Sequence, residues 1–282
     1  MTTGSIDIID QDFMDISGDK VSGSTELARK VCSFFEKHAH SEPNKVQVLG
    51  ENLYSLFSGM GLVRSTIKEL LEALSKGKDA GKSANEIRER IAGQSAKALD
   101  KAEWIFREKI SLVTISRSSQ VEDAILRYSR NVKMVYVLES RPKFEGLSLY
   151  KSLVKNGINA TLLADAAMSV ACMKADVALA GCDSLLGDFT LIHKIGTFPL
   201  FTIMHYHSRR NYAIGMGMKE EKDWTMDTYP QMKDHACSEL GIEGGNCINR
   251  YLELIPGALL DGFISDDGIR QSGSNSVPWD MQ

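Results

Sequence analysis

The chain has 282 residues, 33 Lys and Arg against 37 Asp and Glu (formal charge −4), and 43% hydrophobic residues. That length allows one large domain or two ordinary ones, and the mild acidity argues against a direct nucleic-acid binder, which needs a basic excess to neutralise phosphates. No apolar run approaches the ~18 residues of a membrane span, and Asp7, Asp10, Asp12, Asp15 and Asp19 stand where a secretory signal is basic and then apolar, so neither membrane insertion nor secretion is expected.

Residues 1–20 read as an acidic flexible tail. A helical domain is expected over residues 21–109. Leu27, Val31, Phe34 and Phe35 fall on one helical face, and Leu62, Val63, Ile67, Leu70, Leu71 and Leu74 repeat the pattern. Leu53 and Phe57 form an i, i+4 pair. Ser83-Ala84-Asn85-Glu86 has the form of a capping box, followed by Ile87, Ile91, Leu99, Ala102 and Ile105 along a long helix.

From Ser111 the rhythm changes. Apolar, β-rich runs at 111–115, 132–138, 160–163, 177–180, 212–216 and 259–264 alternate with helical stretches. Apolar strands separated by helices imply a parallel sheet covered on both faces. The expectation is an α/β protein: an N-terminal helical domain, then a Rossmann-like three-layer α/β domain with a mostly parallel sheet over residues 110–270, and a tail over 271–282. The polar stretch from Met218 to Asn249 is either a covering loop or a partner-contacting excursion.

Several apparent motifs carry no chemistry. Gly77 to Ser83 is one residue short of a phosphate-binding P-loop and joins two helices, where that motif needs a strand first. No GxGxxG occurs. His205 and His207 diverge on a helix, and with Arg209 and Arg210 they complement a helix C-terminus more simply than they bind a metal. Neither a metal nor a cofactor is expected. Cys32, Cys172, Cys182, Cys237 and Cys247 are odd in number and without a CxxC, which fits reduced thiols in a cytoplasmic protein.

Ligands on such sheets bind beyond the carboxyl ends of the strands. After the first strand, Ser116, Arg117 and Ser118 put hydroxyls and a guanidinium at a helix N-terminus. This suits an anion, although a serine there also serves as a plain N-cap. After the second, Pro142 holds Arg141 extended, its side chain aimed outward. Asp165 reads as a helix cap. After the fourth, Asp183 follows Gly181-Cys182, and His193-Lys194-Ile195-Gly196-Thr197 opens a further helix. A lysine in a helix's first turn opposes the dipole, which points to a ligand or partner for Lys194.

The ordered segments TISRSS, VLESRPKFEG, LLADAAMSVACMKADVALAGCDS and IHKIGT resemble proteins related to the α, β and δ subunits of translation initiation factor 2B. That superfamily also contains methylthioribose-1-phosphate and ribose-1,5-bisphosphate isomerases. NRYLELIPGALLDGFISDDG is similar to the family's closing strand and tail, and VSGSTELARK is a weaker likeness. The resemblance implies a homo-oligomer, dimer or higher, formed through the α/β domain. For the isomerases it implies a ribose 1-phosphate opened and re-closed to a ketose, with a Cys and an Asp near the reacting carbons.

Here the Asp is Asp183, whereas the loop of the Cys carries Ser116, a far weaker acid than a thiol. The early phosphate loop reads Val21-Ser22-Gly23-Ser24-Thr25 without its arginine, and Met216 replaces an acidic residue while Lys219 remains. Cys182 adjoins Asp183, but neighbouring side chains at a strand end point to opposite faces. The expectation is therefore a non-catalytic, initiation factor 2B-like regulatory protein. Its candidate partners are initiation factor 2 subunits and a phosphorylated sugar or nucleotide, held by Ser116, Arg117, Ser118, Arg141, Lys194, Gly196 and Lys219. The alternative is a sugar-phosphate aldose-ketose isomerase using Asp183.

Overall fold

The computed structural model describes residues 7–19, 22–57 and 59–271. They form two compact units, Met1–Gly93 and Gln94–Gln282.

The first unit is helical: α1 Ile8–Ser17, α2 Ser24–His38, α3 Pro43–Leu56, α4 Gly61–Ser75 and the start of α5, Ala80–Ala102. Leu27, Val31, Phe34 and Phe35 are all buried, as are Leu62, Val63, Ile67 and Leu70 of α4. Gly50 lets α3 approach α2, since a Cβ there would meet the Phe35 ring at 2.9 Å. The expected acidic tail is corrected over 8–17. That segment is amphipathic, burying Ile9 and Ile16 while its aspartates meet cations. Asp12 Oδ2 accepts from Lys37 at 2.7 Å and pairs with His38 at 2.6 Å, and Lys45 reaches Asp7 and Asp10. Residues 1–6 of that tail, Val21 of the early loop, and residues 272–282 of the C-terminal tail lie outside the described residues.

The capping box is also corrected. Helix α5 begins three residues before Ser83, where the Asp79 carboxylate accepts the Lys82 N–H at 2.7 Å. Gly77, at φ +66°, makes the preceding turn between two helices. The boundary between units falls within α5 and not at residue 110, because Ala98 and Ala102 pack with Leu112, Val121 and Leu179 of the second unit.

The second unit holds β1 Ile110–Thr114, α6 Ser119–Arg127, β2 Val132–Leu138, α7 Glu145–Lys155, β3 Ala160–Leu163, α8 Met168–Cys172 and β4 Val177–Ala180. There follow β5 Ser184–Leu186, β6 Leu191–Lys194, α9 Thr197–Tyr206, β7 Arg210–Ile214, β8 Glu220–Glu221, β9 Leu252–Ile255, β10 Gly262–Ser265 and β11 Gly268–Arg270. The main sheet has the order β11-β10-β7-β4-β1-β2-β3 and is parallel except for β11.

Alternation along each strand sorts its side chains to two layers. Val113, Ala178, Ala213 and Phe263 face α8 and α9, where they meet Cys172, Leu200, Phe201 and Met204. Leu112, Leu179, Tyr212 and Ile264 face the other way, onto α6, α7 and the end of α5. This is the three-layer arrangement expected of apolar strands interleaved with helices.

A smaller sheet, β8-β5-β6-β9, has no counterpart in the expected elements. Its strands are two to four residues long, too short to show alternation. Part of the polar excursion covers it: Tyr229 and Met232, with Trp224, pack on Leu186 and Ile192. His193 and Lys194 close β6 and do not open a helix, because α9 starts only at Thr197.

Candidate functional site at the strand ends

From β1 the chain runs outward to β2 and β3, then crosses to β4 on the other side of β1. The carboxyl ends of β1 and β4 thus flank the point where strand order reverses, the usual place for a ligand in such sheets. The two loops meet there. A Cβ on Gly181 would fall 2.6 Å from Ser118 Cβ, 2.8 Å from Ser118 Oγ and 3.1 Å from His193 Nε2. Only glycine lets Ser118, His193 and the β4 end converge.

Three residues other than glycine near these strand ends have left-handed backbone: Ser116 (φ +70°), Ser140 (φ +68°) and Phe144 (φ +58°). Such conformations persist only where neighbours over-determine them. Ser116 N–H donates to Ser140 Oγ at 2.7 Å, and Ser140 Oγ donates to the Leu138 carbonyl at 2.9 Å. Asp165 accepts the backbone N–H groups of Ser140 and Arg141 at 2.8 and 2.7 Å. Its expected role as a helix cap is corrected: a carboxylate with two parallel acceptors fits the strained turn after β2 better than the helix beside it.

Most of the expected anion-binding groups already have partners. Arg117 donates through Nε to Glu122 at 3.0 Å. Lys194 is 3% exposed, and its Nζ donates to Glu145 Oε1 at 2.8 Å. Gly196, at φ +99°, and Phe198 both donate their N–H groups to Glu253 Oε1 at 2.8 Å, so that carboxylate occupies the N-terminus of α9. Lys219 is buried and its Nζ donates to the Cys182 carbonyl at 2.6 Å. Arg141 is exposed, its guanidinium 4.8 Å from the centre of the Phe144 ring, and among the described residues it has no acidic partner. Carboxylates thus hold Arg117, Lys194 and the α9 amides, and a backbone carbonyl holds Lys219.

Asp183 is half-buried. Burial pushes its carboxyl up to about 6, against the opposing pull of Lys219 and Lys194. His193 is buried, and burial, reinforced by the same two lysines, lowers its imidazole to about 3. Its tautomer follows from the chain of bonds. Thr197 Oγ1 donates to the Lys194 carbonyl at 2.6 Å, so the same oxygen accepts from His193 Nδ1–H at 2.9 Å. Nε2 therefore carries a lone pair and faces Gly181 and Ser118. Cys182 points the other way, into the layer with Leu185 and Phe263, and burial raises its thiol far above the ordinary range.

The strand ends thus bring Ser118 beside Gly181 and His193, and Asp183 within the field of Lys194 and Lys219, while Ser116 is tied to Ser140 next to Arg141. Missed from sequence were His193 as an acceptor and the carboxylates Glu145 and Glu253 that hold Lys194 and the α9 amides. Glu145 stands four residues after Arg141, but nothing in that spacing shows that it reaches a lysine 49 positions away.

Comparison with known proteins agrees with this architecture. The sequence model of the Initiation factor 2 subunit family matches residues 16–271. A methylthioribose-1-phosphate isomerase of Trichoplax adhaerens is 26% identical over 222 residues, which take in 72% of this chain and 59% of that protein. A putative translation initiation factor eIF-2B subunit 2-like protein of Pyrococcus horikoshii is 30% identical over 190 residues, 65% of this chain and 63% of that one. The chain thus spans less than two thirds of the length of either relative. Among solved structures, the translation initiation factor eIF-2B of Pyrococcus horikoshii superposes with a TM-score of 0.82 at 20% identity, covering 97% of this chain and 98% of that chain. A tetrameric eIF2B-beta2-delta2 complex from C. thermophilum gives 0.67 at 13% identity, covering 94% and 90%.

Proposed function

Because this chain belongs to the Initiation factor 2 subunit family, we propose that it is an initiation factor 2B-like regulatory protein that does not turn over sugar phosphates. It binds protein partners, and at its strand ends it holds a phosphorylated sugar or nucleotide. One observation carries this reading: where a sugar-phosphate isomerase of this kind needs a thiol beside the aspartate, the β1 loop has Ser116, and the nearby Cys182 is packed into the core. A thiol in the opposite layer supplies no proton to a substrate beside Asp183, since catalysis of this kind depends on placement.

The binding part of the reading is supported by Arg141, Ser116, Ser118 and the buried Lys194 and Lys219 around the switch point. The partner part is supported by the family. The resemblance also favours a homo-oligomer joined through the α/β unit, with initiation factor 2 subunits as partners and the cytoplasm as location. Among the described residues no helix is long and apolar enough to cross a membrane. The test is co-purification of the tagged protein with an initiation factor 2 subunit or a nucleotide. Failure to retain either, together with measurable conversion of ribose-1,5-bisphosphate, overturns the proposal.

A second reading, an isomerase with a rearranged site, is favoured by Asp183, whose carboxyl burial raises to about 6, and by the neutral His193. It requires ketose formation by the parent protein and its loss in Asp183→Asn.

A further inference from the structure

The polar excursion from Met218 to Asn249 is closed on itself by a covalent cross-link. Cys237 and Cys247 are joined by a disulfide, with Cα atoms 5.8 Å apart, where the sequence suggested only reduced thiols. The turn between them makes this closure possible: Gly241, Gly244 and Gly245 all have positive φ, between +81° and +89°. Residues 241–246 are exposed and the two cysteines half-buried, so a soluble reductant can reach the bond.

The closed loop holds Glu239. Its Oε1 accepts from Lys143 Nζ at 3.1 Å, and its Oε2 accepts from Asn249 Nδ2 at 3.1 Å and from the Tyr251 hydroxyl. Lys143 follows Arg141 and Pro142 at the end of β2, and its side chain is only 22% exposed. The Tyr251 ring stacks on His235 at 3.5 Å and lies 5.0 Å from Lys143 Nζ and 5.7 Å from Lys194 Nζ. One carboxylate in a cross-linked loop therefore neutralises a lysine and fixes the aromatic ring beside the buried Lys194.

We propose that the Cys237–Cys247 disulfide is a thiol-operated clasp on the strand-end site, and that its reduction releases Glu239, exposes Lys143 and strengthens anion binding. The inference rests on the reading of the strand ends as an anion site. The reductant is a dithiol. One of its thiolates attacks a sulfur of the bond to give a mixed disulfide, and its second thiol resolves that intermediate. The protein gains two electrons and two protons as two thiols, and the reductant leaves as a disulfide. Opening the cross-link restores conformational freedom to the loop, which weakens every contact Glu239 makes.

The test uses the full chain, oxidised and dithiol-reduced, with two readouts. In the first, acylation of Lys143 by an amine-reactive ester is followed by mass spectrometry against the exposed Lys78. Reduction is expected to raise the Lys143 rate about fivefold. The Cys237→Ser/Cys247→Ser protein is expected to match the reduced rate under either condition, and Glu239→Gln to match it while oxidised. An unchanged Lys143 rate in reduced wild-type protein overturns the clasp. In the second readout, calorimetry with inorganic phosphate is expected to show about tenfold tighter binding after reduction, the size of one added charge-assisted contact. Equal affinity in both states also overturns the clasp. Absence of phosphate binding in both states, with the Lys143 change intact, overturns the anion-site reading and leaves the thiol-operated opening supported.

Discussion

His193 Nδ1 lies 2.9 Å from the hydroxyl of Thr197, whose own proton goes to the carbonyl of Lys194 at 2.6 Å. Residues four apart, one ending β6 and the other opening α9, thus fix each other and leave Nε2 as a lone-pair acceptor facing Ser118 across Gly181. The pair is fully enclosed: His193 is 3% exposed and Thr197 0%.

Thr197→Val keeps the shape but strands the buried His193 N–H, which is expected to cost about 1–3 kcal/mol. Thr197→Ser keeps the hydroxyl and most of the stability. Urea unfolding of the two variants, followed by circular dichroism, separates these outcomes.

Asp183 and His193 oppose each other in their pH dependence. The Asp183 carboxyl is raised to about 6, so its contribution is present at low pH and lost as pH rises from about 4 through 6. The His193 imidazole is lowered to about 3, so its contribution is present above about 6.5 and lost as pH falls towards 3. Between pH 4 and 6 the two slopes cancel in part. Asp183→Asn removes one of them, and its stability is expected to climb with pH more steeply than that of the parent over that window. Parallel curves would contradict the Asp183 assignment.

Lys194 and Glu145 form a pair whose halves differ in burial, 3% and 26% exposed. Glu145→Gln leaves a buried ammonium without its counter-charge and is expected to cost about 3 kcal/mol. Lys194→Met removes the ammonium and leaves the carboxylate on the more exposed of the two side chains, and is expected to cost less, about 1 kcal/mol. Denaturant midpoints that rank the two variants in the opposite order would refute the asymmetry.

Two glycine substitutions probe the backbone. Gly146→Ala sets a Cβ 1.8 Å from the Leu138 carbonyl oxygen, at the start of α7, and is expected to cost at least about 3 kcal/mol because neither backbone segment can yield. Gly93→Ala, on an exposed turn of α5 with nothing within 4 Å of the new methyl, is expected to raise stability by about 0.5–1 kcal/mol through helix propensity. Thermal unfolding reads both.

The sequence carried the elements whose signal is local. The runs at 132–138, 160–163 and 177–180 coincide with β2, β3 and β4, because a short, mostly apolar run marks a strand of a covered parallel sheet even at its half-buried edge, where β3 leaves Thr161 exposed. The helical stripes of Leu27 to Phe35 and Leu62 to Leu70 were legible because each helix buries one face and its apolar residues recur at helical spacing. The acidic segment 8–17 was not: its helix depends on burying Ile9 and Ile16 and on cations from α2 and α3. The β6 strand was likewise hidden, since His193-Lys194 has no strand pattern of its own and takes its register from β9.

For the site, sequence by itself determined which chemistry is present: an aspartate after β4, hydroxyls after β1, a lysine in IHKIGT, and no cysteine in the β1 loop. Those facts depend only on residue identity and order. Tertiary structure decided what state each group is in. Pairing of Lys194 with Glu145, capping of α9 by Glu253 and the burial of Cys182 come from contacts between segments distant in the chain, and the neutral tautomer of His193 from the turn by which β6 passes into α9. Charge and proton affinity respond to the nearest opposite charge and to water access, and the fold alone sets both.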